Sequence, residues 1–450
     1  MSRKETKFKQ TEVGMIPEDW EVESFGKLVS IFRGGSPRPI EAYITSNPLG
    51  INWIKIGDVK EGAKYITSTE ERIIAEGKNR SREVHKGDFI LSNSMSFGRP
   101  YILKVDGCIH DGWLAIQDYQ KTFDTDFLYY MLSSEVVFSQ YVSMAAGSSV
   151  QNLNKEKVAA VKLFYPSSKA EQTAIATALS DVDHLIESIE KLIAKKKRIK
   201  QGAMQQLLTG KKRLPGFGPK ASPRSARNAK CAASEPGFKQ TELGTIPVDW
   251  EVKNISKTCS IKARIGWQGL KSTEYLRSGN YILVTGTDFK NGFIDWSTCN
   301  YVSEWRFKQD KNIQIKKGDV LVTKDGTIGK VAFLNEIPMN GTLNSGVFVV
   351  RSKDNNAIDS VYLSLVFKSL WFDNFLDEIT SGSTIVHLYQ KDFVKFNFPV
   401  PSSIKEQTAI AQVLGDMDLE IGTLEAKLAK YRKLKTGMMQ QLLTGKIRLA

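Results

Sequence analysis

The chain of 450 residues repeats itself, and this repetition limits its possible folds more than any other feature of the sequence. FKQTEVGMIPEDWEV at residues 8–22 returns as FKQTELGTIPVDWEV at residues 238–252. VHKGDFILS at 84–92 is matched by IKKGDVLVT at 315–323, and EQTAIA and MQQLLTGK each occur once per half in the same order. Each half therefore contains a globular part followed by the same type of helix.

The repeat predicts five segments. These are a first globular domain over 1–165, a long helix over 166–214, a linker over 215–237, a second globular domain over 238–400 and a second long helix over 401–450. The linker is rich in Pro, Gly, Ala, Ser and Lys and poor in large apolar side chains, so it reads as a tether. A basic linker could also lie along a phosphate backbone.

The two globular domains are predicted to be mixed α/β. Short runs of β-branched and aromatic residues between turn residues predict strands. These runs cover Trp53–Val59, Phe89–Ser92, Tyr101–Val105, Tyr281–Thr285, Val320–Thr323 and Val347–Arg351. Apolar residues at helical spacing then predict one helix in each domain, over 126–146 and 359–379.

Residues 171–209 and 406–444 have a different pattern, with no proline and with apolar residues three and then four positions apart. This heptad spacing predicts two helices of about 58 Å each that pack as an antiparallel coiled coil separating the two domains. Each helix could instead fold back on its own domain or bind a partner helix. The predicted pairing seam consists of Ile175, Leu179, Val182, Ile186, Ile189, Ile193, Ile410, Leu414, Met417, Ile421, Leu424 and Leu428. Lys196 and Lys200 interrupt the apolar series at core positions.

The formal net charge of +14 favours a polyanionic partner. Charge alone does not separate nucleic acid from anionic lipid, but the sequence has no amphipathic basic anchor and no lipidation motif. It also has no secretory signal at its start and no apolar run of the roughly 18 to 20 residues that cross a bilayer. We therefore expect a cytoplasmic protein that binds double-stranded DNA and no membrane.

Catalytic motifs are not recognisable. The four cysteines and four histidines are scattered without metal-ligand spacing, which predicts no metal site. Gly326-Thr327-Ile328-Gly329-Lys330 lacks the spacing of a phosphate-binding loop, and no Asn-Pro-Pro-aromatic or Asp-Pro-Pro-aromatic run of the amino-methyltransferase kind occurs. We expect a chain without catalytic residues and without a cofactor of its own.

Direct base readout uses Arg or Lys against guanine and Asn or Gln against adenine. Side chains of these types in Gly- and Ser-rich turns are the candidates for DNA contact, although a solvated charge or a phosphate contact is the commoner role. They are Arg33, Arg38, Arg80, Arg82, Asn93 and Arg99 in the first domain, and Arg264, Gln268, Lys271, Lys324 and Lys330 in the second. The basic run at 195–200 could follow DNA phosphates, dock a partner subunit or be a solvated helix face.

With these motifs the chain closely resembles the specificity subunits of type I restriction-modification systems over both of its halves. The resemblance is carried by FKQTE(V/L)GxIPxDWEV, the KGD strand-turn signature, the helix start PSSxxEQxAIA and the helix end QQLLTGK. It implies two target recognition domains that each read one half of a split, asymmetric DNA sequence, with the paired helices fixing the spacer. It also implies partners: methyltransferase subunits, two of them, that carry S-adenosylmethionine, and restriction subunits that translocate and cut DNA.

Two other classes of function remain open from the sequence. The chain could be a stand-alone DNA-binding regulator or architectural protein with the same duplicated form. It could also be a fused restriction or modification enzyme whose active site has no recognisable motif.

Overall fold

The computed structural model describes residues 7–59, 62–93, 97–145, 153–218, 237–380 and 387–449. The chain divides into two compact units. Unit 1 comprises Met1–Lys191 and Glu425–Ala450, and unit 2 comprises Leu192–Leu424. Most of the predicted linker over 215–237 lies outside the described residues.

Unit 1 is built mainly from short strands. They are β1 (Phe8–Thr11), β2 (Gly14–Pro17), β3 (Trp20–Ser24), β4 (Ser30–Arg33), β5 (Ile44–Thr45), β6 (Ile51–Ile54), β7 (Tyr65–Ile66), β8 (Glu71–Ile73), β9 (Arg82–Val84), β10 (Phe89–Ser92), β11 (Pro100–Leu103), β12 (Gly107–Ile109), β13 (Trp113–Gln117) and β14 (Lys162–Pro166). Its helices are α1 (Phe25–Leu28), α2 (Ala75–Lys78), α3 (Thr125–Leu132), α4 (Glu135–Ala145), α5 (Lys155–Ala160) and the first part of the long helix α6 (Lys169–Leu208).

The main sheet of unit 1 has the strand order β4-β13-β10-β11-β7, and a second sheet has the order β5-β8-β6-β12-β9. Every side chain of β10 is buried, because apolar clusters cover both faces of this strand. The hairpin β1-β2 and the pair β14-β3 complete the unit.

Unit 2 repeats this plan. Its strands are β15 (Phe238–Thr241), β16 (Gly244–Pro247), β17 (Trp250–Asn254), β18 (Cys259–Ala263), β19 (Ile282–Val284), β20 (Phe289–Lys290), β21 (Phe293–Ile294), β22 (Asn300–Tyr301), β23 (Val320–Thr323), β24 (Val331–Phe333), β25 (Gly341–Leu343), β26 (Val347–Ser352) and β27 (Asn397–Pro401). Its helices are α7 (Ile255–Thr258), α8 (Glu304–Lys308), α9 (Ser360–Val366), α10 (Leu370–Thr380), α11 (Gln390–Phe393) and the first part of the long helix α12 (Ile404–Leu442).

The main sheet of unit 2 has the order β18-β26-β23-β24, which is the order of β4-β13-β10-β11 in unit 1. The KGD signature forms the same turn before β10 and before β23. Gly87 and Gly318 have φ of 92° and 89°, which favours glycine, and the carboxylates of Asp88 and Asp319 accept from a backbone N–H three residues earlier. The predicted mixed α/β class with a repeated plan is confirmed.

The two long helices are part of the apolar core of each unit. In unit 1, Ile175 and Leu179 from the start of α6 lie in one cluster with Leu442 and Leu443 at the end of α12. In unit 2, Ile410 and Leu414 near the start of α12 lie with Leu207 and Leu208 of α6. Each unit therefore buries the beginning of its own long helix together with the end of the other.

Ion pairs show that α6 and α12 pack in antiparallel orientation. In unit 1, Asp183 pairs with Lys435 and Glu190 pairs with Arg432, both at 2.6 Å. In unit 2, Lys196 pairs with Glu420 at 2.6 Å and Lys200 pairs with Asp418 at 2.5 Å. Residue numbers rise along one helix as they fall along the other, so the predicted antiparallel pairing is confirmed.

These pairs also explain the lysines that interrupt the apolar series. Lys200 and Lys435 occupy equivalent positions, and each faces an aspartate of the opposite helix. The side chains predicted for the seam lie as follows. Ile175, Leu179, Ile189, Ile193, Ile410, Leu414 and Ile421 are buried, whereas Val182, Ile186, Met417, Leu424 and Leu428 are half-buried.

Three predicted elements were wrong in detail. The single helix expected over 126–146 is divided into α3 and α4, and the one over 359–379 into α9 and α10. At each division a serine hydroxyl bonds to the backbone: Ser134 accepts from Val137 N–H, and Ser369 donates to Val366 O. The strand expected over 53–59 ends at Ile54, because the Asp58 carboxylate accepts from Lys55 N–H and closes a turn.

Candidate nucleic-acid interface

The same hairpin occurs in the main sheet of both units, between β10 and β11 and between β23 and β24. In unit 1, Ser92 N–H donates to Arg99 O at 3.2 Å, and in unit 2, Thr323 N–H donates to Lys330 O at 2.9 Å. A glycine with φ of 73° in unit 1 and 76° in unit 2 precedes this basic residue in each hairpin. Arg99 and Lys330 are therefore structurally equivalent, and both side chains are exposed.

The first residue of each hairpin is fixed in the same way. Asn93 N–H donates to Gly112 O at 3.1 Å, and Lys324 N–H donates to Gly346 O at 2.9 Å. The backbone oxygens of these two residues in turn accept from a leucine N–H that belongs to the repeat, Leu153 in unit 1 and Leu388 in unit 2. Asn93 and Lys324 therefore hold equivalent positions although their side chains differ.

Three of the predicted DNA-binding residues line one pocket of unit 1, with a volume of about 790 Å³. Arg33 and Arg38 are exposed, whereas Asn93 is only 5% exposed and donates its side-chain amide to Asp111 O at 2.9 Å. The pocket also contains apolar surface from Trp53. Such a mixture of apolar surface and a few fixed polar groups is typical of ligand-binding sites.

Gly34 allows the chain to pass close to His110, the residue that follows β12. A Cβ at position 34 would lie 2.0 Å from His110 O, so a side chain is excluded there. Burial lowers the pKa of His110, which favours a neutral imidazole at pH 7. Ser36 donates to Asp111 at 2.8 Å and Arg38 pairs with it at 3.5 Å, and the Ser36 hydrogen bond lowers the pKa of this carboxyl.

The other predicted residues of unit 1 lie over aromatic rings. The Arg82 guanidinium lies 4.6 Å from the centre of the Phe32 ring, and Lys155 approaches the same ring at 5.8 Å. Arg80 lies 5.7 Å from the Tyr43 ring. These cations are exposed and held by aromatic contacts, an arrangement suited to phosphate binding.

In unit 2, the hairpin lies beside an aromatic and basic cluster. Lys324 is half-buried with its Nζ 5.4 Å from the centre of the Phe348 ring. Tyr389, which follows the leucine bonded to Lys324, is 53% exposed. Its ring is 4.2 Å from that of His387, which pairs with the hairpin carboxylate Asp325, and 5.4 Å from the ammonium of Lys391.

In unit 2, the candidates Arg264 and Gln268 are buried, as Asn93 is in unit 1. Arg264 is 2% exposed, and its guanidinium donates to Leu343 O, Thr342 and Gln309. Burial, together with the neighbouring Arg306, lowers its pKa. The structure thus places these two side chains inside the fold, and their contact with DNA stays a prediction. Lys271, in the same segment, is exposed.

Lys155, Tyr389 and Lys391 lie beside the candidate residues but were not among those chosen from the sequence. Each lies within three residues of Leu153 or Leu388, the matched leucines that tether the hairpins. The sequence contains one sign of this site. The two copies differ in residue type directly after the matched leucine, where Asn154 stands in one copy and Tyr389 in the other.

The described ranges contain neither a candidate metal site nor a candidate membrane-spanning helix. Within them, no three His, Cys, Asp or Glu side chains lie close enough together to hold a metal ion. Of the helices in this part of the chain, none is both long and apolar enough to cross a membrane.

The repeated α/β units with basic hairpins, together with the antiparallel long helices, define a protein with paired DNA-recognition domains. A family model described as the type I restriction modification DNA specificity domain matches residues 17–199 and again residues 247–430. The chain therefore belongs to the type I restriction-modification specificity family.

Known relatives agree with this assignment over the full length. The type I restriction enzyme MjaVIII specificity subunit of Methanocaldococcus jannaschii is 26% identical over 99% of this chain and 97% of its own length. The MjaIX specificity subunit of the same organism is 23% identical over 99% and 98%. The crystal structure of a type I system S subunit from M. genitalium has a similar fold, with a TM-score of 0.54 at 15% identity, over 94% of this chain and 96% of that one.

Proposed function

We propose that the chain reads a split, asymmetric DNA sequence, one half with each unit, and directs methyltransferase and restriction subunits to it. One observation carries this proposal: the backbone hydrogen bonds of Ser92, Asn93 and Arg99 recur at Thr323, Lys324 and Lys330, whereas the side chains at the matched positions 93 and 324 differ. Two domains with the same backbone arrangement but different polar side chains at matched positions are suited to reading two different half-sites. The net charge of +14 supports a polyanionic ligand.

We infer that the long helices set the length of the unread spacer between the half-sites. Helix α6 has 40 residues and α12 has 39, which corresponds to about 60 Å for each at 1.5 Å per residue. This length exceeds one turn of DNA, about 34 to 36 Å. The ion pairs between oppositely charged side chains of the two helices support a fixed register.

The chemistry belongs to the partners in this proposal. Two methyltransferase subunits would bind S-adenosylmethionine and modify adenine, restriction subunits would cut DNA, and this chain would act in the cytoplasm without a cofactor or catalytic residues of its own. The support is the family assignment and the names of the relatives, which are specificity subunits.

Methylation mapping tests the proposal directly. The full chain is expressed with its methyltransferase partner, and modified adenines are mapped across the host genome. We expect one split motif with two different halves. Scattered or absent methylation, despite a soluble complex, would overturn the proposal.

A second experiment separates the alternative functions. The purified chain is incubated with DNA, Mg²⁺ and S-adenosylmethionine, first alone and then with the methyltransferase subunits. We expect methyl transfer only in the second case. Transfer or cleavage by the chain alone would identify a fused enzyme, and failure to recover any methyltransferase with the tagged chain would favour a stand-alone regulator.

A further inference from the structure

The two matched hairpins share backbone hydrogen bonds, so their side chains can be compared position by position. Three matched pairs of backbone hydrogen bonds fix the equivalence of position 93 with 324 and of position 99 with 330. A scaffold role is therefore the same at each matched pair. Because these bonds involve only backbone atoms, they do not explain why the side chains at a matched pair differ.

At one of the two pairs, the charge is retained. Arg99 and Lys330 are both exposed cations, and in the described part of the chain neither forms an ion pair. A DNA backbone presents the same phosphates to both units whatever the sequence, so a phosphate contact requires a cation in both copies. Retention of charge at two exposed positions fits that role.

At the other pair, the hydrogen-bonding type changes. One amide N–H of Asn93 donates to Asp111 O, which leaves one donor and one acceptor on its carboxamide, whereas the Lys324 ammonium has donors only. Adenine presents a donor and an acceptor in the major groove, which matches Asn, and guanine presents two acceptors, which match Lys. The change from Asn to Lys therefore changes which base edge the side chain complements.

Both side chains lie partly inside the fold, beside apolar surface: Asn93 is 5% exposed and Lys324 is half-buried. Asn93 lines the pocket of about 790 Å³ together with Arg33 and Arg38, a size within the usual range of ligand sites. Lys324 rests on Phe348 and lies beside the exposed Tyr389 cluster. Both positions thus combine a polar head group with adjacent apolar surface and nearby cations.

We propose that positions 93 and 324 select bases, Asn93 an adenine in the half-site of unit 1 and Lys324 a guanine in the half-site of unit 2, while Arg99 and Lys330 hold phosphates. This inference rests on the proposed function, and it adds which matched residues determine specificity and which determine affinity.

The test uses the full chain with its methyltransferase partner, and methylation mapping as the readout. For Lys324→Asn we expect one position of the second half-site to lose its preference for guanine about tenfold or more, with the first half-site unchanged. For Lys330→Ala we expect an unchanged motif and weaker binding to all sequences. The slope of log affinity against log salt should also become shallower by about one unit.

Lys308→Ala is the matched control, since Lys308 is an exposed lysine of unit 2 whose partner is Glu304. It should change neither the motif nor the relative affinities of matched and mismatched DNA. Thermal unfolding of each complex shows whether the variants fold. If Lys324→Asn abolishes methylation, Lys324→Arg decides, because a guanidinium also reads guanine and should restore the original motif.

Three outcomes would overturn the inference. They are an unchanged second half-site in a folded Lys324→Asn complex, a loss of methylation with Lys324→Arg as well, and an altered motif with Lys330→Ala. In each case the wild-type chain would still direct methylation to a split motif, so the proposed function would stand. Absence of such a motif with the wild-type chain would instead contradict the proposed function itself.

Discussion

Arg448 ties the end of helix α12 to the rest of unit 1. Its guanidinium donates to both oxygens of Asp19 at 2.9 and 2.7 Å and to Glu171 at 2.5 and 2.7 Å. Arg448→Ala leaves the largely buried Glu171 without this cation, so we expect unit 1 to lose about 2 kcal/mol of stability. Hydrogen exchange of the amides near residues 19–25 and 171–179 measures the loss.

Unit 2 offers the matched experiment, since Arg213 makes the equivalent contacts with Asp249 and Glu406. Arg213→Ala should increase exchange in unit 2 and leave unit 1 protected. Lys27→Ala removes an exposed pair with Glu23 and should cost less than about 1 kcal/mol. Equal effects of Arg448→Ala and Lys27→Ala would show that the Arg448 contacts contribute little.

The same contacts predict a dependence of stability on pH. The hydrogen bond from Arg448 lowers the pKa of Asp19, and that from Arg213 lowers the pKa of Asp249. A carboxyl whose pKa is lower in the folded state stabilises the fold above its unfolded pKa of about 3.9. This contribution is lost as the pH falls through the folded pKa. We expect the free energy of unfolding in urea to fall below about pH 4. Asp19→Asn should remove the part of this pH dependence that comes from unit 1.

At the scale of elements, the sequence predicted long and periodic segments well. The long helices were expected at 171–209 and 406–444, and they span Lys169–Leu208 and Ile404–Leu442. Their heptad pattern is a local signal that packing of α6 against α12 reinforces. The division of the shorter helices was missed because it depends on serine hydroxyls that bond to the backbone rather than on apolar spacing.

The candidate site was less predictable because it depends on contacts distant in sequence. In the unit 1 pocket, Arg38 pairs with Asp111, which is 73 positions away in the sequence. The equivalence of Asn93 and Lys324 is visible only from their backbone bonds to Gly112 and Gly346. The burial of Arg264 was equally hidden, since a charged side chain in a turn is ordinarily exposed. Residue type identified most of the candidates, but only the fold shows which of them correspond.

Helix length is the element-scale property that can be changed independently of the readers. Insertion of one heptad into each of α6 and α12 keeps the apolar seam aligned and adds about 10 Å to each helix. We expect the methylated motif to gain spacer base pairs, while both half-sites stay the same. Insertion into one helix only is the control, since it breaks the register of pairs such as Lys200 with Asp418 and should reduce methylation.

At the scale of the whole molecule, the repeated plan implies that the two readers are independent. Each unit has its own main sheet, its own hairpin and its own apolar cluster. Exchange of residues 8–165 for the corresponding domain of another family member should therefore change one half-site and preserve the other. The new domain must keep Asp19, which bonds Arg448, so that unit 1 still receives the end of α12.

Methylation mapping of the exchanged chain with the same methyltransferase gives the result. The reciprocal exchange of residues 238–400 is the control and should change only the other half-site, provided that Asp249 remains available to Arg213. If either exchange alters both half-sites in a folded complex, base selection is shared between the units. The matched hairpins could then not act as separate readers, because each would depend on side chains of the other copy.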